Sequence, residues 1–261
     1  MYEFLICAIA GIGAGVATGF AGLSAAVYIS PILVTFLDVP VYEAIGISLA
    51  SDVLASGVSS LTYYRHGNID LKHCIPLLSS VLGFAIIGSI AGYFFSVSDT
   101  GNTILSYWSV VMSLFLGIQF LVRRTDKERG GGSANGTDVK RKILAVLFGI
   151  YTGFVCGFQG TGGGMMMLFI LTLVMGYELK TAVGTSVFIM TFTALIGSAS
   201  HFCINGSPDL FRLAVCVLFT LAAAQISAVA ANRITEKSSN RIIGALLTVS
   251  AVIMLWVKLA S

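Results

Sequence analysis

The sequence predicts an all-α integral membrane protein built from two inverted repeats. Three observations support this prediction: an apolar composition, a duplicated glycine pattern, and a charge distribution that places corresponding loops on opposite faces. Hydrophobic residues make up 56% of the 261 residues and charged residues only 10%, with a mean hydropathy of +0.92. A soluble domain carries about 25% charged residues, so this chain cannot cover a water-exposed surface and belongs in a lipid bilayer.

The same composition argues against several other classes of protein. The net charge is +3, and the basic residues gather in connectors rather than on one face, so we expect no nucleic-acid partner. The five cysteines are scattered and form neither a disulfide framework nor a metal-ligand spacing, and we expect no cofactor. The sequence lacks the G-x-x-x-x-G-K-[ST] motif, so ATP-driven pumping would need a separate subunit.

The chain contains an internal duplication. Under a shift of 138 positions, 12 residues between positions 11 and 60 are identical without a gap. The first-half residues are Gly11, Ile12, Gly15, Gly19, Phe20, Gly22, Ile32, Leu33, Ala44, Gly46, Ser48 and Ser60. Their counterparts are Gly149, Ile150, Gly153, Gly157, Phe158, Gly160, Ile170, Leu171, Ala182, Gly184, Ser186 and Ser198. Shared apolar composition would give scattered matches, whereas here glycines recur in one fixed spacing.

Each half has the same series of apolar segments. The first half has short segments at residues 4–18 and 25–37, then longer ones at 44–64, 74–95 and 104–122. The series restarts with short segments at 143–156 and 165–175, then longer ones at 182–202, 210–231 and 242–259. About 20 apolar residues cross a bilayer, whereas 10 to 14 are more often re-entrant. We therefore predict, in each half, a pair of short broken or re-entrant helices plus three full transmembrane helices.

Charge sets the boundaries and the orientation. We divide the chain into a first transmembrane repeat at 1–122, a linker at 123–142 and a second repeat at 143–261. The linker is rich in Lys and Arg, which places it in the cytoplasm, as does the connector at 65–73. The counterpart of that connector, residues 203–209, has neither Lys nor Arg and is expected outside. Corresponding loops on opposite faces indicate an inverted duplication, with both termini outside a cell (inner) membrane. Whether each short pair forms a re-entrant hairpin or two full passes stays open.

A glycine run interrupts the second half at Gly157-Phe158-Gln159-Gly160-Thr161-Gly162-Gly163-Gly164. In lipid, a broken helix survives only where it is buried in protein or lines a wet cavity. Helix N-termini bind anions, and inverted-repeat transporters bind solutes at glycine-interrupted segments near the midplane. The predicted substrate-binding residues are Gly22, Ser24, Ser48, Gly157, Phe158, Gln159, Gly160, Thr161, Gly162, Gly163, Thr185 and Ser186. For Gly11, Gly15, Gly149 and Gly153 we favour close helix packing instead.

One carboxylate, Asp52, falls in the middle of an apolar span. An intramembrane carboxylate is costly and is a functional hypothesis by default. It could carry a coupling proton if burial disfavours its charged form; the alternative is a structural hydrogen bond to a nearby serine, Ser48, Ser51 or Ser56. Met190 stands at the equivalent position of the second half, so the role is asymmetric. His201 ends a span and is expected at the membrane interface.

At the glycine run, the chain resembles the sulfite exporter TauE/SafE family of membrane transporters. The resemblance rests on that run and on Ala182-Val183-Gly184-Thr185-Ser186. The first-half copy, Gly19-Phe20-Ala21-Gly22 with residues 44–48, resembles the family's N-terminal motif. It departs from that motif by having Leu23-Ser24-Ala25 where glycines are usual. The resemblance implies export of sulfite or of a small organosulfur anion such as a sulfonate.

We therefore expect a proton-coupled secondary transporter rather than an enzyme. Its expected partners are a small inorganic or organosulfur anion and the lipid bilayer, and a homodimer stays an open alternative. Other functions remain open as well: an anion channel, an intramembrane enzyme or a membrane anchor. A channel would show non-saturating flux, and an anchor would tolerate loss of the glycines. No Ser–His pair is evident in the glycine-rich motif, which argues against an enzyme.

Overall fold

The computed structural model describes residues 1–122, 139–159, 167, 170–171, 175–177, 179–231 and 236–260. The main helices of this part are α1 (Tyr2–Ala21), α2 (Ala26–Phe36), α3 (Val41–Arg65), α4 (Leu71–Ser96), α5 (Asp99–Val122), α6 (Val139–Gln159), α7 (Leu179–Asn205), α8 (Leu210–Ala231) and α9 (Glu236–Ala260). Six of them, α1, α3, α4, α5, α7 and α8, are long and apolar enough to cross a bilayer. The predicted all-α membrane class is confirmed.

The first helix of each half is longer than the sequence predicts. The expected short segment at 4–18 is a helix of 20 residues, Tyr2–Ala21, or about 30 Å at 1.5 Å per residue. The segment expected at 143–156 lies within α6, which has 21 residues and starts inside the predicted linker. Glycine alone weakens a helix, but tertiary packing supplies most helical stability in proteins. Of the first predicted short pair, α2 alone is short, with 11 residues.

Helix α2 turns back along α1, which makes the first pair a helical hairpin. Gly22 ends α1 in the left-handed conformation, with φ of +64°, which glycine adopts without steric cost. Six residues later, the Tyr28 ring lies against Gly13, more than two turns back along α1. Pro31 lacks the N–H that would bond to the Val27 carbonyl. The Ser113 hydroxyl of α5 donates to that carbonyl instead, at 2.6 Å, so α2 is tied into the bundle.

Two glycine-lined helix pairs pack in the same register. α1 lies parallel to α8, and α6 lies parallel to α4. Gly11, Gly15 and Gly19 face Cys216, Thr220 and Ser227, whereas Gly149, Gly153 and Gly157 face Leu77, Val81 and Ser89. Each contact of the first pair recurs in the second after a shift of 138 or 139 positions on both helices. Glycines let helix backbones approach closely, so the packing interpretation of these positions agrees with the structure.

The corresponding helices α3 and α7 pack against each other antiparallel. Gly46, near the start of α3, lies against Phe202, near the end of α7. At the opposite end, Tyr63 of α3 lies against Gly184 near the start of α7. The contact therefore runs along most of both helices, in opposite directions. A two-fold axis that relates two such helices is perpendicular to them, which is the relation expected of inverted repeats.

Candidate functional site

The break between α1 and α2 brings together residues from both halves. A Cβ atom placed on Gly22 would approach the Ser186 hydroxyl of α7 to 2.8 Å and Val183 to 3.3 Å. Two predicted site residues, Gly22 and Ser186, are thus neighbours although 164 positions separate them. The turn after Gly22 is fixed by Ser24, whose hydroxyl oxygen accepts the Ala26 N–H at 3.2 Å.

Asp52 lies beside this turn. It is the twelfth of the 25 residues of α3, so it falls at the middle of a candidate membrane span. Its side chain is 1% exposed, and the Ser24 hydroxyl and the Ala25 backbone N–H lie next to its carboxylate. Among the described residues, neither carboxylate oxygen has a hydrogen bond of ordinary geometry. The buried Asp52 carboxylate therefore faces the N-terminus of α2 without forming a hydrogen bond of ordinary geometry to it.

The hydrogen bonds around the α2 N-terminus show which donors remain for an anion. The N–H groups of Val27 and Tyr28 bond to the backbone oxygens of Ser24 and Ala25, at 3.3 and 3.1 Å. The Ala26 N–H bonds to the Ser24 side chain, as described above. The groups that face Asp52 are the Ser24 hydroxyl, which can still donate its proton, and the Ala25 N–H.

The nearby serines bond to the backbone rather than to Asp52. Ser51 donates to the Ile47 carbonyl at 2.9 Å, and Ser56 donates to the backbone carbonyl of Asp52 itself at 2.6 Å. Ser48, a predicted site residue, donates to the carbonyl one turn earlier in α3. All three hydroxyl protons are thus used within the helix. The structural alternative for Asp52, a hydrogen bond from one of these serines, is not what the structure shows.

Thr185 holds a connector rather than the break near Gly22. Its hydroxyl oxygen accepts the Asp70 backbone N–H at 3.2 Å, and Gly184 lies against the Asn68 carbonyl. The Tyr177 hydroxyl donates to the Asp70 carboxylate at 2.9 Å. Burial and the Asp70 carboxylate raise the pKa of Tyr177, so this hydroxyl keeps its proton and remains a donor. These contacts fasten the α3–α4 connector onto the start of α7.

The second-half break is described only up to the end of α6. Gly157 packs against Ala85 of α4. The Phe158 ring lies 5.7 Å from Phe95 and 5.8 Å from Phe154, measured between ring centroids. Gln159 is the last residue of α6. The predicted residues Gly160, Thr161, Gly162 and Gly163 lie outside the described residues, and their role stays a prediction.

His201 is a polar residue whose burial the sequence analysis did not predict. Its position at the membrane interface stays a prediction, and its side chain is 1% exposed because α3 and α6 cover it. Its Nε2 atom lies 3.1 Å from the Gly157 carbonyl and its Nδ1 atom lies 3.2 Å from the Tyr42 carbonyl. The ring stacks on the Tyr42 ring, with the centroids 3.9 Å apart. His201 therefore joins α3, α6 and α7 at the residue that opens the glycine run.

The duplication offers a way to find His201 from sequence. A shift of 138 positions pairs His201 with Tyr63. The Tyr63 hydroxyl donates to the Gly19 carbonyl at 3.3 Å, and Gly19 is the counterpart of Gly157. Both side chains thus reach the equivalent carbonyl in the last turn of α1 or α6. Within the described residues, no three His, Cys, Asp or Glu side chains cluster closely enough to hold a metal ion.

Comparison with known proteins bears on the function. The family model described as Sulfite exporter TauE/SafE matches residues 7–254. The chain belongs to this family. It is 27% identical to the probable membrane transporter protein YdhB of Bacillus subtilis, over 72% of this chain and 74% of the relative. It is 25% identical to the probable membrane transporter protein YunE of the same species, over 82% and 83% of the two chains.

A relative from another organism is similar to the chain as well. The probable membrane transporter protein MJ0441 of Methanocaldococcus jannaschii is 25% identical, over 81% of this chain and 79% of that protein. No solved structure matches the chain. Together with the six apolar helices, membership of the TauE/SafE family identifies the protein as a membrane transporter.

Proposed function

We propose that this TauE/SafE protein is a secondary transporter that exports a small sulfur-containing anion, sulfite or an organosulfonate, with proton coupling through Asp52. The observation that carries the proposal is the break between α1 and α2. There, a helix N-terminus and a buried acid meet near the middle of a membrane span. Discontinuous helices with N-termini at mid-membrane are the usual solute site of secondary transporters.

The proposed transport mechanism uses two inverted repeats. The antiparallel packing of α3 and α7 supports this arrangement, as does the shared register of the pairs α1–α8 and α6–α4. In such folds, one repeat moves against the other around a fixed site and opens it to each face in turn. We propose the orientation given by the positive-inside rule, with the linker in the cytoplasm and both termini outside.

The proposed substrate site includes the second glycine break. Gly160, Thr161, Gly162 and Gly163 would offer backbone N–H groups and one hydroxyl to the anion. Under the duplication, Ser48 corresponds to Ser186 and Gly160 corresponds to Gly22. Because Ser186 contacts Gly22 in the first half, Ser48 is the matching candidate to face the second break. The family name, which specifies sulfite, supports the choice of substrate.

The test is counterflow in proteoliposomes with sulfite, a small alkanesulfonate, sulfate and chloride, each with and without a pH gradient. We expect saturable flux that prefers the sulfur oxyanions and rises with the gradient. Non-saturating flux would indicate a channel, and no flux with any of these anions would contradict the proposal.

Two variants localise the site. Gly163→Ala places a methyl group at the proposed anion contact, and loss of one hydrogen bond to a charged group costs about 1.5–3 kcal/mol. This corresponds to a roughly tenfold or greater loss of affinity. Gly83→Ala in α4 is the matched control, because a Cβ atom there would meet no atom within 4 Å. Equal affinity in the two variants would place the anion elsewhere.

A further inference from the structure

We propose that the substrate anion and the Asp52 carboxylate compete for the same α2 N-terminus, so that the anion binds at the first break only when Asp52 is protonated. This inference rests on the proposed anion transport and adds the step that links proton to anion. The α2 N-terminus would then bind two anions in turn, the Asp52 carboxylate and the transported anion.

The geometry of the break limits it to one anion at a time. The donors that face Asp52 are the Ser24 hydroxyl and the Ala25 N–H. The next N–H groups of α2, those of Ala26, Val27 and Tyr28, already bond to oxygens of Ser24 and Ala25. A helix N-terminus carries about half a positive charge, which offsets the charge of one anion only in part and that of two anions even less. Two adjacent anions in a low-dielectric interior repel strongly. Protonation of Asp52 removes one of the charges and frees both donors for the substrate.

The burial and the contacts of the Asp52 side chain support its exchange with another anion rather than a permanent role as the cap of α2. A permanent helix cap closes its hydrogen bonds, whereas the two Asp52 oxygens lack bonds of ordinary geometry among the described residues. The side chain is nevertheless almost fully buried and directed at the N-terminus. Asp52 is therefore positioned to stabilise the α2 N-terminus when no other anion is bound there. It can leave this position when another anion binds.

Other ionisable groups on the helices around α3 are engaged elsewhere. Tyr28 of α2 hydrogen-bonds to Ser250 at 2.7 Å. His201 of α7 lies between the Tyr42 and Gly157 carbonyls, and Arg212 of α8 pairs with Glu3 at 2.5 Å. In α4, Tyr93 packs edge-on against Tyr42, and in α5 Asp99 is exposed in the first turn. None of these groups adds a charge interaction to Asp52, so the α2 N-terminus is the partner that the proposal needs.

The test on the wild-type protein measures binding of a small alkanesulfonate, whose charge stays constant between pH 5 and 9, in weakly buffered detergent solution. We expect uptake of up to one proton per bound anion above the pH at which Asp52 ionises in the empty protein. In that range, the dissociation constant should rise about tenfold per pH unit, as linkage to one proton requires. Binding that neither takes up protons nor depends on pH would overturn the inference and leave the proposed function intact. Absence of binding at every pH, both of the sulfonate and of sulfite, would overturn both.

Variants assign the proton to Asp52. Asp52→Asn and Asp52→Met, which introduces the second-half residue, should bind the sulfonate with a dissociation constant that does not depend on pH. Asp99→Asn, which removes an exposed carboxylate in the first turn of α5, should keep the wild-type dependence. A tenfold-per-unit slope that persists in Asp52→Asn would overturn the inference. If neither Asp52 variant folds, the proton uptake of the wild type decides alone.

Discussion

The two halves of the molecule share their packing and differ in their polar chemistry. The glycines that seat α1 on α8 recur, position for position, where α6 meets α4. By contrast, Asp52 is replaced by Met190, and Tyr63 is replaced by His201. Close packing tolerates little change in volume, which explains why the helix contacts survived duplication. The polar positions were free to diverge. The positions at which the two halves differ are therefore the candidates for a functional role.

Tyr63 and His201 occupy equivalent positions and contact equivalent carbonyls, but their side chains differ in how they can be protonated. Both side chains reach a carbonyl in the last turn of a helix. Carbonyls of a last helical turn generally lack a partner within the helix, and lipid supplies no water to replace one. A tyrosine hydroxyl satisfies that carbonyl at any physiological pH. A neutral histidine has only one N–H, yet His201 lies between two carbonyls, those of Gly157 and Tyr42. The second half therefore contains a group whose hydrogen bonding changes with protonation.

The largest expected effect concerns the direction of the two halves. Cysteines introduced by Ser133→Cys and Asn240→Cys should react with an impermeant reagent only from the cytoplasm, and those from Asp99→Cys and Ser207→Cys only from outside. The background should carry Cys203→Ser, because Cys203 is the exposed native cysteine among those described. If Asp99→Cys and Asn240→Cys react from the same side, the repeats run in the same direction and the two halves are not related by inversion.

The next effect tests the shared packing. A Cβ atom on Gly15 would overlap the Thr220 carbonyl, and one on Gly153 would overlap the Val81 carbonyl. Overpacking of a well-packed contact costs about 1–3 kcal/mol, so Gly15→Ala and Gly153→Ala should lower the melting temperature in detergent by similar amounts. Gly83→Ala, in open space within α4, should not lower it and should raise it slightly, because alanine favours a helix more than glycine does. A large drop in one variant alone would show that the two helix pairs are not equivalent.

The membrane class and the series of apolar helices follow from composition and hydrophobic length, and the sequence analysis predicted both. Helix lengths at α1 and α6 were underestimated, because a glycine's intrinsic cost is local whereas the neighbour that offsets it lies far away in the chain. Burial of His201 and the use of Thr185 by the α3–α4 connector were missed for the same reason. Asp52 was predicted as functional, but its position beside the α2 N-terminus depends on how the α1–α2 hairpin folds back.

A third prediction concerns the position where the halves differ most in charge. Met190→Asp introduces the Asp52 chemistry into the second half, where Met190 is buried. If the second break binds the transported anion, the added carboxylate should compete with it and weaken sulfonate binding about tenfold or more, or about 1.4 kcal/mol. The loss should grow as pH rises, because burial favours the neutral acid and only the ionised form competes.

The control for this variant is Met190→Leu, which keeps the volume and adds no charge. It should bind the sulfonate like the wild type, with at most a small loss of thermal stability. Wild-type affinity in Met190→Asp at every pH, in a protein that still folds, would show that the second break does not bind the anion. The functional asymmetry between Asp52 and Met190 would then have to be explained by the first break alone.

The smallest expected effect separates the two carbonyl contacts. Tyr63→Phe removes one neutral hydrogen bond, to the Gly19 carbonyl at 3.3 Å, which is worth about 0.5–1.5 kcal/mol. His201→Tyr, which introduces the first-half residue, should keep a donor for the Gly157 carbonyl but remove the protonation of the ring. We therefore expect Tyr63→Phe to lower the melting temperature equally at all pH values. Titration of His201 between pH 5 and 8 would make the wild-type melting temperature depend on pH in that range. His201→Tyr should remove this dependence. An unchanged pH dependence in His201→Tyr would show that the histidine does not titrate in the folded protein and is, like Tyr63, only a helix cap.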